Sequence, residues 1–139
     1  MGEEEPRQIA SGLVPYYTLE QMQDRKLIVV CNLKARNLVG FKSHGMVLCA
    51  SKANADGVNV VEFVDPPAGS NPGDRISGEG LTAEPLTSSK LDKMKAFDKI
   101  APDLIVDSEG MAKWKDIRLV VASSGEPCVA PTLRDAHVH

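Results

Sequence analysis

The residues best suited to chemistry in this chain lie close together: Asn32, Lys34, Arg36, Asn37, Phe41, Lys42, Ser43 and His44. Lysine and arginine head groups reach phosphates, and Asn and Ser groups hydrogen-bond phosphate or ribose hydroxyls. Arg36 is the best single candidate, because its planar fork grips phosphate bidentately and stacks on bases. Phe41 offers a ring for base stacking, or else anchors the segment; His44 stands between Ser43 and Gly45 as a further polar contact. A second cationic group, Lys90, Lys93, Lys95 and Lys99, could track a phosphate backbone, although Asp92 and Asp98 interleave it. The bland alternative for both groups is a solvated surface kept soluble by its charge.

Catalytic signatures do not stand out. The chain has no GxSxG, HExxH, phosphate-binding loop or dinucleotide fingerprint, so a binding role is expected and not an enzyme. The three cysteines, Cys31, Cys49 and Cys128, form no CxxC, and neither a disulfide framework nor a zinc site is indicated. Cys31 and Cys49 sit in apolar runs and read as reduced core residues. His137 and His139 have a spacing that suits a metal on a strand but lack a third ligand nearby, so no metal and no cofactor is expected.

The elements that must position these groups read as mainly β. Gln8 to Val14 resembles a short strand stopped by Pro15. Thr18 with Gln21 forms a capping-box pattern for a short helix ending near Asp24 or Arg25. Lys26–Leu33 is continuously apolar and predicts a strand buried on both faces. Lys34 to Gly45 reads as a loop punctuated by Gly40 and Gly45. Met46–Ala50 predicts a buried strand, Val58–Val64 a third, long strand, and Arg75–Ser77 a short one. Ser88 to about Ile100 predicts one helix, with Leu91, Met94, Phe97 and Ile100 as its apolar stripe. Ala112–Trp114, Ile117–Val121 and Cys128–Ala130 predict a second small sheet. Trp114 and Phe97 are assigned to core, and Tyr16 and Tyr17 to the surface. Many short strands and tight turns indicate a small barrel or sandwich.

Size and charge set the outer bounds. The chain has 139 residues, enough for one domain, and its 42% hydrophobic and 25% charged content is ordinary for a soluble protein. No apolar run approaches the ~20 residues needed to span a bilayer. The acidic start, Met1-Gly2-Glu3-Glu4-Glu5, is neither a secretory signal nor a transit peptide, so a cytoplasmic location is expected. The net charge of −3 argues against wholesale nucleic-acid binding, but the charge is segregated along the chain and leaves room for a local basic face.

Two stretches are similar to a known family: Ser11-Gly12-Leu13-Val14 with Leu19-Glu20-Gln21-Met22, and the block from Val30-Cys31-Asn32-Leu33-Lys34 through Gly40-Phe41-Lys42-Ser43-His44-Gly45 to Cys49-Ala50-Ser51. They resemble the tRNA-binding domain of the endothelial monocyte-activating polypeptide II family and of aminoacyl-tRNA synthetase cofactors. The likeness continues through Glu62-Phe63-Val64-Asp65-Pro66-Pro67, Pro72-Gly73-Asp74-Arg75 and Ile100-Ala101-Pro102-Asp103-Leu104. It implies an oligonucleotide-binding (OB) barrel, here incomplete, over residues 1–66, and a small C-terminal α+β subdomain over 67–139 packed on the barrel. It implies a non-catalytic module that delivers or retains tRNA, without cofactor or metal. The implied partners are tRNA and a methionyl-, tyrosyl- or glutamyl-type aminoacyl-tRNA synthetase or a multisynthetase complex. The implied contacts are Asn32, Lys34, Arg36, Asn37, Phe41, Lys42, Ser43, His44, Lys90, Lys93 and Lys95.

Two departures accompany the resemblance. The family's domain has two further strands before the loop that Gly2-Glu3 resembles, so the strand at Ile9–Val14 is expected to have an open edge. A chain supplying the missing strands, self-pairing, or docking of a scaffold partner by β-augmentation would cover that edge. The run of lysines found in many relatives is diluted here to Lys93-Met94-Lys95 between Asp92 and Asp98, so weaker tRNA affinity is expected.

Overall fold

The computed structural model describes residues 2–139. Its architecture grows from a strand that is buried on both sides. Met46-Val47-Leu48-Cys49-Ala50 is apolar throughout, and alternate residues face two different cores. Val47, Cys49 and Phe63 join Leu13 in the smaller core, with Ile9, Tyr17 and Met22 packed against it. Leu48, Ala50 and Val64 join Ile28, Val106, Ala130 and Val138 in the larger one. Period-two alternation across a strand requires this division.

Leu48 is the pivot. The short strands β1 (Val29–Val30) and β4 (Met46–Val47) pair as a separate antiparallel ribbon. After Leu48 the chain enters β5 (Cys49–Ala53), which pairs with β6 (Asn59–Phe63). The Leu48 N–H donates to the Ile28 carbonyl at 2.9 Å, and its own carbonyl accepts from Val64 at 3.3 Å. One continuous apolar stretch therefore serves two sheets.

The remaining strands are β7 (Ile76–Gly78), β8 (Leu104–Val106), β9 (Ala112–Trp114), β10 (Ile117–Val121) and β11 (Ala136–Val138). With β5 and β6 they form one open, wholly antiparallel seven-stranded sheet in the order β6-β5-β11-β8-β9-β10-β7. The expected separate second sheet is thus corrected: strands from both halves of the sequence share one sheet, joined through β11. The Cys128–Ala130 segment makes only isolated bridges, from Val129 to Asp65 and Met111.

Glu62 locks this junction. Although buried, its carboxylate accepts from the Thr132 N–H at 2.8 Å, the Thr132 hydroxyl at 2.7 Å and the Leu133 N–H at 2.6 Å. Three donors satisfy a charge that would otherwise be costly to bury. At the β8–β9 corner, Asp107 accepts from the N–H groups of Glu109 and Met111, both at 2.9 Å, and its other oxygen meets Lys113 at 2.8 Å. Burial pushes the Asp107 carboxyl up, but the Lys113 ammonium and the two N–H groups outweigh it, leaving the net shift downward.

Several expected elements take other forms. Gln8 to Val14 is not a strand. His44 donates its N–H to the Gln8 carbonyl at 2.9 Å, and Ala10 donates to the Ser43 hydroxyl at 3.0 Å. Leu13 then accepts from Tyr16 and Tyr17 to begin a turn. The edge expected at Ile9–Val14 is therefore not a strand edge, and the sheet's open edges are β6 and β7. The Lys26–Leu33 strand shrinks to β1, half-buried. The first helix, α1 (Leu19–Met22), carries the expected Thr18–Gln21 capping box but ends early. The Ser88–Ile100 helix breaks into α2 (Ser88–Met94) and α3 (Ala96–Ile100) at Lys95, whose φ is +49°. A strict three-residue spacing slips roughly 60° per step on a 3.6-residue helix, so the stripe cannot stay on one face. Met94 and Ile100 are accordingly exposed. Cys31 is also exposed; only Cys49 and Cys128 are buried. Tyr17 is half-buried and stacks on Phe63 at 4.1 Å, with the Arg25 guanidinium 4.8 Å above the Phe63 ring.

Candidate nucleic-acid interface

From Arg25 to Ala55 the chain contains no acidic residue, while Arg25, Lys26, Lys34, Arg36, Lys42 and Lys52 are basic. The core of this stretch folds as a hairpin, which corrects the loop expected over Lys34–Gly45. Strands β2 (Arg36–Leu38) and β3 (Phe41–Ser43) pair antiparallel with Arg36 opposite Ser43, Asn37 opposite Lys42 and Leu38 opposite Phe41. The turn residues Val39 and Gly40 have φ of +49° and +80°. Positive φ at both central positions is the primed turn whose twist suits a two-residue hairpin. Sequence reading missed the hairpin because a β-branched residue is a rare occupant of that first position.

Pairing divides the cations. Cross-strand partners share a face and neighbours alternate, so Arg36 lies with Leu38 and Phe41 on one face while Asn37 and Lys42 lie on the other. Arg36, Asn37 and Lys42 are exposed. Ser43 is not: its hydroxyl is buried, accepts from Ala10 and donates to the Gly45 carbonyl at 3.0 Å. Its side chain therefore positions the hairpin base and does not meet solvent.

Beside the residues that flank the hairpin, an open cleft of about 580 Å³ is lined by Arg7, Cys31–Ala35, His44 and the Leu86–Ser88 segment that leads into α2. Here the segment that carries the first cationic group touches the segment that carries the second. The Asn32 amide donates to the Leu86 carbonyl at 3.0 Å, and the Lys34 ammonium pairs with Asp92 on α2 at 2.9 Å. Both partners of that ion pair are more than half exposed, so it contributes at most about 1 kcal/mol and yields readily to a phosphate. Lys90, Lys93 and Lys95 are exposed on the same segment but do not line the cleft.

Arg7 was overlooked because it follows an acidic run and reads as a tail. Its guanidinium donates to the carbonyls of Cys31 at 2.6 Å and His44 at 3.0 Å, and it pairs with Glu3 at 2.8 Å. It clamps the two ends of the hairpin together. No group of three or more His, Cys, Asp or Glu side chains suited to a metal occurs among the described residues. His139 instead meets the Ser51 hydroxyl at 2.5 Å.

Residues 1–75 match the family described as "Putative tRNA binding domain". The chain belongs to this tRNA-binding domain family. It is 42% identical over 120 residues to the cytoplasmic tyrosine–tRNA ligase of Danio rerio, a match covering 86% of this chain and 22% of that protein. It is 40% identical over 139 residues to the cytoplasmic methionine–tRNA ligase of Caenorhabditis elegans, covering 99% of this chain and 14% of that one. It is 38% identical over 139 residues to the aminoacyl tRNA synthase complex-interacting multifunctional protein 1 of Mus musculus, covering 99% and 42% respectively. The chain thus spans less than half the length of each of these relatives. The C-terminal domain of Plasmodium vivax p43 superposes with a TM-score of 0.82 at 34% identity, covering 99% of this chain and 80% of that chain. The tRNA-binding domain here is mainly β with open sheets, and its likeness to that neighbour fits an OB-like fold. No helix among the described residues is long and apolar enough to cross a membrane.

Proposed function

We propose that this domain captures tRNA on the β2–β3 hairpin and the adjoining cleft, and retains it for an aminoacyl-tRNA synthetase in the cytoplasm. The single observation that carries the reading is the acid-free stretch from Arg25 to Ala55, whose hairpin exposes Arg36 on one face and Lys42 on the other while Asn32 and Lys34 reach the α2 segment. Lys34, Arg36 and Lys42 neutralise phosphates; Asn32, Asn37 and His44 supply hydrogen bonds to phosphate or ribose. Lys90, Lys93 and Lys95 form a second bank that extends the track. Residues 1–66 act as the RNA-binding core and 67–139 as its supporting subdomain. A synthetase of methionyl, tyrosyl or glutamyl type is the partner, either in the same chain or docked to it. The domain binds and does no chemistry.

The test is a fluorescence-anisotropy titration of labelled tRNA at about 50 and 200 mM salt, beside an Arg36→Ala/Lys42→Ala variant. About four phosphate contacts give a slope of log K on log salt near −3, and removing two makes it shallower by roughly 1.4 to 1.8. Absence of tRNA binding by a folded sample would overturn the reading.

A further inference from the structure

The tip of the β2–β3 hairpin exposes three large apolar side chains within four consecutive residues. Val39 is fully exposed at 107%, Phe41 at 42% and Leu38 at 40%. The hairpin forms a two-stranded sheet of its own, so among the described residues no further strand pairs with its edges. Val39 also holds a left-handed conformation that β-branched residues avoid, with φ of +49°. A polar residue would suit both the exposure and the backbone better. The apolar tip is thus a feature that folding alone does not explain.

Charge identifies its occupant. Arg36 shares the face of Leu38 and Phe41, and Lys42 flanks the other face. No carboxylate occurs anywhere from Arg25 to Ala55. The partner therefore carries negative charge beside a flat apolar surface. An unpaired nucleobase with its own phosphate has both properties; a base inside a duplex hides its face in the stack. We infer that the hairpin tip is a base-stacking wedge: Phe41, backed by Leu38, receives the face of an unpaired nucleobase in RNA, Arg36 holds the adjacent phosphate, and Val39 fills the gap the base leaves. This deepens the proposed tRNA capture and rests on it. It assigns the tip the choice of where on a folded RNA the domain settles, while the cations supply the grip.

The test uses the full chain and two variants, Phe41→Leu and Phe41→Tyr. Phe41 is part-exposed, so neither should disturb folding, and circular dichroism checks this. Phe41→Leu should bind labelled tRNA about 5- to 150-fold more weakly, the range for losing one base–aromatic stack. Its salt slope should equal that of the unmodified chain, because no phosphate contact is lost. Phe41→Tyr should bind as the unmodified chain does. A blunt RNA duplex should bind all three equally. A short single-stranded RNA carrying a fluorescent adenine analogue should be quenched by the unmodified chain and by Phe41→Tyr, but not by Phe41→Leu.

Unaltered tRNA affinity in folded Phe41→Leu would overturn the wedge and leave tRNA capture standing. Phe41-dependent quenching without any tRNA binding would do the reverse. Vesicles rich in anionic lipid form the last arm. If vesicles bind in a Phe41-dependent manner while RNA affinity does not change, the tip is a lipid contact and the inference fails.

Discussion

Removing the Glu62 carboxylate should separate the C-terminal segment from β6 and destabilise the whole domain. The carboxylate is buried and takes three hydrogen bonds, from Thr132 N–H, Thr132 hydroxyl and Leu133 N–H. Hydrogen bonds to charged groups contribute about 1.5–3 kcal/mol each, and an orphaned buried donor costs about 1–3 kcal/mol. These terms do not add in full, because Thr132 is exposed and water replaces part of what it loses. Glu62→Ala should therefore cost about 2–4 kcal/mol. For a chain of this size that is a fall in Tm of roughly 7–14 °C, from the usual unfolding entropy per residue. Glu62→Gln makes the sharper comparison. Both backbone N–H groups meet the same oxygen, Oε1, which glutamine retains. The Thr132 hydroxyl can turn to accept from the new amide, so only the charge is lost, at about 1 kcal/mol. Urea unfolding at constant m reads both values. A Glu62→Ala midpoint within about 0.5 kcal/mol of the unmodified chain, or a Gln variant as damaged as the Ala variant, would refute the latch.

Val39→Asn should raise stability by about 1 kcal/mol, because asparagine tolerates the left-handed turn position that valine resists; an unchanged or lower urea midpoint counts against the strain. Gly110→Ala should lose about 1–3 kcal/mol, since φ is +90° and a Cβ would stand 2.6 Å from an Arg134 nitrogen and 3.2 Å from the Ala130 carbonyl oxygen; thermal melts measure it. Asp107 has a lowered pKa when folded, so its stabilising contribution is present above the ordinary carboxylate range and fades as pH falls through its folded value. Asp107→Asn should accordingly be less stable at neutral pH and lose less on acidification below about pH 4; parallel acid limbs in the two proteins would contradict this. Burial pushes the Cys49 and Cys128 thiols up to about 11, whereas Cys31 is exposed, so a thiol reagent at neutral pH should modify Cys31 alone in the folded chain. Mass spectrometry of the labelled peptides checks the assignment.

Much of the β framework was legible because apolar runs are local signals. Met46–Ala50 reported double-sided burial directly, Val58–Val64 reported a strand of which only the second half is buried, and Thr18 with Gln21 fixed the start of α1. Long-range partners were not legible. The hairpin needed Val39 in a conformation its residue type disfavours, so pattern reading returned a loop. Gln8–Val14 has strand-like composition, but the Gln8 carbonyl and the Ala10 N–H are satisfied by the His44 amide and the Ser43 hydroxyl, which only the folded chain brings near. The basic stretch was visible at once. That Arg36 and Lys42 face opposite ways, and that Lys34 meets Asp92, depends on a pairing register and a packing angle that composition does not encode. Ser43 had the chemistry of a ligand contact and the place of a structural one.

The position of β11 has a consequence for how the protein is made. Inside the sheet β5 pairs with a strand far downstream: Ser51 and His139, which hydrogen-bond across that junction, are 88 residues apart. A ribosome adding about 5–20 residues per second needs roughly 4–18 s to deliver that strand after β5 has emerged. Throughout that interval the β5–β6 pair stands with the inner edge of β5 bare and apolar residues on both faces. The nascent chain thus passes through a stage with a ready template for the wrong strand, and the opportunity closes only when residues 136–138 arrive. Slower translation across the second half of the message would lengthen the exposure; faster translation would shorten it.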